Sequence, residues 1–379
     1  MTEQTLDPQR QEKAREYARI RRRFMLLDLL IGFVLLLLWL LLGWSTSLRD
    51  WIFSWTNNPW LAVAAFGVVF GGVFYLIDLP LSYYTGFVLP HRYDQSNQDL
   101  WDWITDQLKS AGLALLLGGV LIELIYLVLR TAPETWWLWA GGILLLFNVI
   151  LANLAPVVIF PLFYDFQLLD EEHEDLKERL VRLAEQAETE VEDVFKFDMS
   201  RRTKAANAAL TGLGKTRRIL LGDTLIEEFS DEEIETVLAH ELGHHVHHDI
   251  PLSMAIQSVV TLGGLYLASL GLSWGVAFFG FQSPSDLAAL PLFGLVLGLY
   301  GLITAPLSNA YSRWRERLAD RYALRATGNG PAYASALTRL ANQNLAEADP
   351  PRWVEIFLYS HPALKKRIEA ARDPAFLDT

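Results

Sequence analysis

The stretch Val237-Leu-Ala-His240-Glu241-Leu-Gly-His244-His245 contains a His-Glu-x-x-His motif in a segment whose pattern predicts a helix. Residues four apart lie on one helix face, about 5–6 Å from each other, so His240 and His244 can offer two imidazole nitrogens to one metal ion. Glu241 lies beside them, where its carboxylate can accept and return a proton. The motif predicts a zinc site with one position open for water. The alternative is a His-rich helix at a membrane interface that binds no metal.

The composition of the chain narrows the class of protein. Hydrophobic residues make up 52% of its 379 residues, with 13 Trp and 20 Phe, and the mean hydropathy is +0.21. These values are typical of a membrane protein. A net charge of −12 argues against nucleic acid as a partner. The chain has no Cys, which excludes disulfides, thiolate metal sites and a Cys nucleophile, so His, Asp or Glu must hold any metal.

Six apolar stretches are long enough to cross a hydrocarbon core of about 30 Å. They are residues 24–44, 60–79, 111–129, 136–163, 252–281 and 288–307. Polar residues lie within or at the ends of these stretches, namely Asp78, Glu123, Asn148 and Asn153. A buried partner for each, or a hydrated chamber between the helices, would explain them equally well.

Lys and Arg are concentrated on one side of the predicted membrane. Residues 1–23, predicted as a cytoplasmic tail or an amphipathic helix, contain seven of them, whereas residues 282–287 contain none. Because positive residues favour the cytoplasmic side, both termini and the metal motif are predicted to face the cytoplasm.

The predicted organisation alternates membrane and soluble segments. Residues 1–23 form the tail, 24–163 hold four spans with a cytoplasmic loop at 80–110, 164–251 form a soluble catalytic region, 252–310 hold two spans, and 311–379 form a helical C-terminal region. Within the soluble region, residues 168–190 have helical spacing, whereas residues 194–199, 208–211 and 218–221 alternate like strands. Ser230 and Glu233 form a capping-box pattern before the helix of the metal motif.

Two histidines do not complete a zinc site, so a carboxylate must come from elsewhere. Glu316 and Asp320, just beyond the sixth span, are four apart and share a helix face. One could bind zinc while the other holds a ligand histidine by its second ring nitrogen. A salt-bridge cluster with Arg313, Arg315 or Arg317 explains the same pattern equally well.

Several motifs, in order, resemble the type 1 CAAX prenyl endopeptidase family of integral-membrane zinc metallopeptidases of the gluzincin kind. They are Leu76-Ile-Asp78-Leu-Pro80-Leu-Ser-Tyr-Tyr84, Pro161-Leu-Phe163, Asn207-Ala208 with Arg218-Ile219, the His240 motif with Ser312-Arg313-Trp-Arg-Glu316-Arg-Leu-Ala319-Asp320, and Tyr359-Ser-His361-Pro362. The resemblance implies a mainly α, multi-pass membrane protein. About six transmembrane helices would enclose a chamber, with a small α+β gluzincin-like zinc peptidase region on the cytoplasmic side.

The resemblance also implies residue roles. His240, His244 and Glu316 would bind one Zn²⁺, Glu241 would be the general base, and Asp320 would support a ligand. Asn207 and Ala208 would lie at the edge strand that binds substrate. His361 and Arg313 would stabilise the oxyanion, although His361-Pro362 by itself is more typical of a helix-capping corner.

Departures from the family pattern limit what the resemblance implies about substrate. Eukaryotic members have an additional N-terminal span, and the shorter, Cys-free acidic chain favours a prokaryotic cell membrane. His245 stands where the family often has Trp. His248 continues the ligand face but lies two turns, about 12 Å, from His240, which is too far to bind the same ion. The expected partners are membrane lipids and peptide or protein substrates, lipidated or not. A quality-control protease of the heat-shock type and a non-catalytic scaffold or transport-like protein are the alternatives, and the oligomeric state stays open.

Overall fold

Six long apolar helical segments dominate the computed structural model, which describes residues 5–212 and 217–373. They are Pro8–Leu41, Pro59–Arg92, Leu100–Thr131, Trp136–Leu162, Asp249–Phe279 and Leu287–Thr327. The shortest has 27 residues, more than the roughly 20 that a membrane helix requires. The six predicted spans are therefore confirmed. The ends of the predicted terminal segments, residues 1–4 and 374–379, lie outside the described residues.

The first helix, α1 (Pro8–Leu41), extends well beyond a hydrocarbon core. Asp7 accepts hydrogen bonds from the amides of Gln9 and Arg10, and Pro8 occupies the first turn, where its missing N–H costs nothing. Its 34 residues span about 51 Å at 1.5 Å per residue. The basic segment predicted as a tail or helix is therefore, from Pro8 onward, the continuous start of the first span.

The next elements complete the first half of the membrane region. They are α2 (Trp44–Phe53), α3 (Pro59–Tyr83), a π-helical turn (Tyr84–Val88), α4 (Leu89–Arg92), α5 (Leu100–Thr131) and α6 (Trp136–Leu154), which continues through a π-helical turn (Ala155–Ile159) and a 3-10 turn (Phe160–Leu162). No cis peptide bond interrupts the described residues.

A small mixed sheet follows the fourth span. Its strands are β1 (Phe166–Leu168), β2 (Val194–Phe197), β3 (Ala208–Thr211) and β4 (Arg218–Gly222), in the order β1-β2-β4-β3. The β2–β4 pair is parallel, the other two pairs are antiparallel, and β3 is an edge strand. The three predicted strands are present, whereas the helix predicted over 168–190 is wrong at both ends, most of all at its start.

The start of this helix was mispredicted because tertiary contacts, not the local sequence, order residues 166–168. Phe166 pairs with Phe197 across β1 and β2, and their rings stack at 5.8 Å, so residues 166–168 join the sheet. The helix α7 begins later, at Glu174, and ends at Gln186. A three-residue strand has too short a pattern to outweigh the helical spacing that follows it.

The remaining elements are helical and carry the metal motif. They are α8 (Asp223–Glu228), α9 (Asp231–Val246), α10 (Asp249–Phe279), a 3-10 turn (Leu287–Ala289), α11 (Leu290–Thr327), α12 (Gly330–Gln343), α13 (Arg352–Leu358) and α14 (Leu364–Arg372). A hydrophobic core joins α7, the sheet, α9, α12 and α14. It includes Leu180, Ile219, Leu238 and Leu337.

A second hydrophobic core joins the membrane helices at the end remote from α9. Phe66 and Trp136, near the starts of α3 and α6, pack there with Leu129, near the end of α5, and Leu292, near the start of α11. Most residues in the apolar parts of the spans are not buried by the protein itself, as expected for helices that face lipid. The membrane helices thus share a buried core at the end remote from the metal motif.

An ion pair ties α2 to this remote end. Arg49 Nη1 lies 2.5 Å from Asp286 Oδ2, in the connection between α10 and α11. The amide of Gln282 also donates to Asp286 Oδ2 at 2.9 Å, and the amide of Ala288 donates to Oδ1 at 2.9 Å. Both oxygens of this buried carboxylate are thus satisfied by the chain itself.

Candidate metal centre

The helix α9 presents the motif because its start and one face are fixed. Ser230 Oγ accepts from the amide of Glu233, whose carboxylate accepts from the amide of Ser230 at 3.0 Å, so the predicted capping box is present. Ile234, Leu238 and Leu242, four apart, are buried in the soluble core. With that face buried, the histidine positions turn towards α11.

A glycine allows α9 and α11 to approach closely. A Cβ atom on Gly243 would lie 2.9 Å from Ala319 Cα and 3.1 Å from Tyr322 Cβ. Real side chains do not tolerate the shorter contact with backbone, so only glycine fits without moving a helix. This contact brings the histidines of α9 against the carboxylates of α11.

Three side chains converge with the spacing of metal ligands. His240 Nε2 lies 3.2 Å from His244 Nε2 and 3.3 Å from Glu316 Oε2. His244 Nε2 lies 3.3 Å from Glu316 Oε1. A tetrahedron with zinc–ligand bonds of about 2.0–2.1 Å has edges of about 3.3 Å, so the three residues fit zinc. Glu316 Oε2 is buried without a hydrogen-bond partner, as expected of an atom that binds a cation.

The alternative salt-bridge cluster is not observed. Within the described part of the chain, Arg313, Arg315 and Arg317 form no ion pair with Glu316 or Asp320. The cation beside both carboxylates is instead Arg367, which the sequence analysis missed. It binds Asp320 through Nε at 3.0 Å and Nη2 at 2.6 Å, and its Nη1 lies 3.6 Å from Glu316 Oε2.

Asp320 holds the outer nitrogen of His240. His240 Nδ1 lies 3.0 Å from Asp320 Oδ1, which also accepts from Tyr333 Oη at 2.6 Å. Burial lowers the pKa of His240, but the neighbouring carboxylates of Asp320 and Glu316 outweigh it and raise that pKa to about 9. With Nδ1 turned to Asp320, Nε2 faces the other two ligand candidates, which is the support expected for a metal-binding histidine.

Asp249 gives His244 the equivalent support. His244 Nδ1 donates to Asp249 Oδ2 at 2.6 Å, and Arg315 Nε donates to Asp249 Oδ1 at 2.5 Å. The role of Asp249 was not predicted from the sequence, although a carboxylate five residues after the second histidine is a usable signal. Arg315 was considered only as a partner of Glu316 or Asp320, whereas it pairs with Asp249.

His248 does not lie on the ligand face, contrary to the prediction. The helix α9 ends at Val246, and His248 adopts a left-handed backbone conformation (φ 54°) that turns the chain into α10. This turn places Asp249 beside His244.

Glu241 is half-buried beside His240. Over residues 5–212 and 217–373 its carboxylate has no hydrogen bond and no ion pair. It is therefore available to exchange protons with a bound molecule.

His361 reaches the centre from the loop before α14. Its Nε2 lies 3.2 Å from Glu316 Oε1, its side chain is 59% exposed, and Ser360 Oγ lies 2.9 Å from Nδ1. The helix α14 has no side-chain cap, so the helix-capping interpretation is not supported. Arg313 is connected to the centre through the segment that carries His361. Its Nη1 donates to the carbonyls of Glu355 at 2.8 Å and Tyr359 at 2.7 Å and thereby fixes the residues before His361.

Asn207 and Ala208 lie where the edge strand begins. The carbonyl of Asn207 accepts from the amide of Gly222 at 2.9 Å, on the β4 side. The side chain of Asn344 binds both backbone groups of the preceding residue, Ala206, at 2.8 and 3.1 Å. Because antiparallel strands alternate the direction of their amides, those of Ala208 and Leu210 point to the open edge.

Membrane helices joined to a His-Glu-x-x-His helix and a glutamate from a second helix define a membrane-embedded metallopeptidase. The chain belongs to peptidase family M48, whose model matches residues 170–375. Residues 1–165 match the model described as CAAX prenyl protease N-terminal, five membrane helices. Four of the six spans fall in that region. The predicted family and the M48 metallopeptidase class, similar to CAAX prenyl protease 1, are thereby confirmed, as is a multi-pass integral membrane protein.

Individual relatives agree with this assignment. A Bacillus subtilis (strain 168) protein named uncharacterized metalloprotease YhfN is 30% identical over 94% of this chain and 84% of its own length. A rice (Oryza sativa subsp. japonica) CAAX prenyl protease 1 homolog is 31% identical over 79% of this chain and 70% of its own. The crystal structure of S. mikatae Ste24p has a TM-score of 0.86 and 26% identity, covering 97% of this chain and 90% of that one.

Proposed function

We propose that the chain binds one Zn²⁺ through His240, His244 and Glu316 and hydrolyses peptide bonds in membrane-associated peptides, prenylated CAAX-type peptides among them. The observation that carries the proposal is the convergence of three residues. The two imidazole Nε2 atoms lie 3.2 Å apart, and each lies 3.3 Å from one oxygen of Glu316. Beside them is a carboxylate, Glu241, that the described chain leaves free.

Each remaining residue has a distinct task in this proposal. When bound, zinc lowers the pKa of water and polarises the substrate carbonyl. The Glu241 carboxylate accepts the proton of the attacking water and returns it to the leaving amine nitrogen. The exposed imidazole of His361 donates a hydrogen bond to the oxygen on which negative charge develops. Arg313 acts through His361, because it holds the carbonyls of the segment that carries it.

The edge of β3 offers the substrate a place to bind. An extended peptide can add to an exposed edge by main-chain hydrogen bonds. The amides of Ala208 and Leu210, which point to the open edge, support this role. The edge available to a peptide ends at Ala206, because the side chain of Asn344 already bonds both backbone groups of that residue. Residues 164–251 and 311–379 then form one catalytic region, since the ligand set draws on both.

The charge distribution supports a cytoplasmic catalytic region. The basic start of α1 is on the same side as the metal centre, because Arg22 pairs with Glu347 at 2.5 Å in the segment leading to His361. Positive residues favour the cytoplasmic side of a membrane. Labelling of single cysteines introduced at exposed positions near each end of the spans would test this orientation, since the chain has no native Cys.

The activity itself is tested by a pair of substitutions at neighbouring residues. Glu241→Gln should keep zinc and lose nearly all chelator-sensitive peptidase activity, because the proton acceptor is gone while the ligands remain. His240→Ala should lose the metal as well. Zinc is measured by mass spectrometry and activity on membrane peptides in detergent. Normal cleavage by Glu241→Gln would overturn the mechanism.

The names of the relatives support prenylated CAAX-type peptides as one substrate class. Matched peptides with and without the isoprenoid test this class. Equal cleavage of both would favour a broader role in membrane-protein quality control.

A further inference from the structure

A cavity of about 650 Å³ adjoins the metal centre and is not used by the residues assigned so far. His361 and Arg367 form part of its wall, and both lie against Glu316. The N-terminal part of α1 forms another part of the wall. Its volume is in the range of pockets that bind small ligands, which suffices for a few residues of a peptide.

One face of α1 lines this cavity. Tyr17, Arg21, Arg22 and Met25 belong to it, at spacings that place them on the same side of a helix. Arg23 is two residues from Arg21, which places it on a different face, and it does not line the cavity. The two neighbouring arginines therefore have different surroundings on one helix.

The arginines of the cavity wall differ in whether a carboxylate pairs with them. Arg22 pairs with the buried carboxylate of Glu347 at 2.5 Å, and Arg367 is held by Asp320. Arg21 is exposed, and its guanidinium lies 5.7 Å from the ring centre of Tyr17. Among the described residues no carboxylate pairs with Arg21, so the wall has an uncompensated positive charge.

The cavity also adjoins the edge of the sheet. Asn344 forms part of its wall and binds both backbone groups of Ala206, just before the proposed substrate strand. A peptide lying along β3 and past the metal centre thus has this cavity next to it. Leu345 and Leu358 add apolar surface to the wall of the same cavity.

We propose that this cavity binds the few substrate residues next to the cleaved bond and that Arg21 binds a carboxylate on them. This inference rests on the proposed peptidase function. The carboxylate is either the C-terminus of the peptide or an Asp or Glu side chain. Arginine suits it because its planar group can donate two parallel hydrogen bonds to a carboxylate.

Three peptides of one sequence test the proposal: a free acid, its C-terminal amide, and an amide with a glutamate within three residues after the cleaved bond. The wild-type protein should cleave the free acid or the glutamate peptide about tenfold more efficiently than the plain amide, chiefly through KM. Which of the two is preferred identifies the source of the carboxylate. Arg21→Gln should abolish the preference, and Arg21→Lys should restore part of it.

Arg23→Gln is the matched control, because it removes the same charge from another face of α1 and should leave the preference intact. The same peptides are also measured for binding to the Glu241→Gln protein. A binding preference that depends on Arg21 without any hydrolysis would support the cavity and overturn the peptidase function. A preference unchanged in Arg21→Gln, or an Arg21 effect seen only with anionic lipid vesicles, would overturn the proposal.

Discussion

Two buried charged clusters lie about 40 Å apart along α11 and differ in how their carboxylates are satisfied. At the remote end, both oxygens of Asp286 are occupied, by Arg49 and by backbone amides. At the metal centre, Glu316 Oε2 has no hydrogen-bond partner and two imidazole nitrogens face each other at 3.2 Å. The first cluster is complete without a ligand, whereas the second gathers acceptors that a cation would satisfy. The same kind of residue thus serves stability in one place and binding in the other.

The largest expected effect comes from removing a candidate ligand. Glu316→Gln keeps the shape of the side chain but removes its charge, so the zinc content should fall from one ion per chain towards none, with loss of peptidase activity. Metal analysis of the purified protein measures this. A variant that keeps its zinc would contradict the assignment of Glu316.

The remote ion pair should behave in the opposite way. Arg49→Ala leaves the buried Asp286 carboxylate without its cation, which should lower the free energy of unfolding by about 3–5 kcal/mol. Thermal unfolding in detergent measures the loss. Zinc affinity should not change, and the double variant with Asp286→Ala should lose less than the sum of the single variants. A matching fall in zinc affinity would mean that the two clusters are coupled.

Weakening the hydrogen bond that supports His244 should have a smaller effect on zinc binding than removing a ligand. Asp249→Asn weakens the acceptor for His244 Nδ1, so zinc affinity should fall about 10–100-fold. Because the buried Arg315 also loses its carboxylate partner, thermal unfolding is measured beside the zinc affinity. Competition with a zinc chelator measures the affinity. Asp50→Asn is the control, because Asp50 lies beside Arg49 at the remote end. An equal effect of both substitutions would argue against a specific role for Asp249.

The smallest effect per step is a pH dependence of zinc binding, about tenfold for each pH unit. Because the pKa of His240 is raised to about 9 without metal, zinc must displace a proton from it at neutral pH. Apparent zinc affinity should therefore rise by about tenfold per pH unit between about pH 6 and 8, and level off above the pKa. Chelator competition corrected for chelator protonation measures the slope. A flat profile would mean that His240 is already neutral.

The sequence predicted those parts of the centre that depend on local spacing. The capping box of Ser230 and Glu233 and the four-residue spacing of His240 and His244 lie within one helix, so the pattern alone contained them. Glu316 and Asp320 were found as a pair, but their competing salt-bridge interpretation could be rejected only once α9 was seen against α11. That contact depends on Gly243 and is tertiary.

Other supporting residues could not be predicted for the same reason. Arg367 lies 47 residues beyond Asp320, and only the packing of α14 brings them together. Asp249 acquires its position from the left-handed turn at His248. The strand β1 was missed because its three residues are ordered by pairing with β2 rather than by their own sequence.

The reach of α1 beyond the membrane has a consequence for the order of folding. Its N-terminal part, with the capping residue before it, binds residues synthesised more than 300 positions later. Asp7 and Arg10 bind Asn342, and Arg22 binds Glu347. Contacts so distant in sequence form late. A nascent chain with its early spans already inserted thus still lacks the partners of its first helix, as well as His361 and Arg367. The metal centre therefore cannot be completed before the segments that carry His361 and Arg367 have been synthesised.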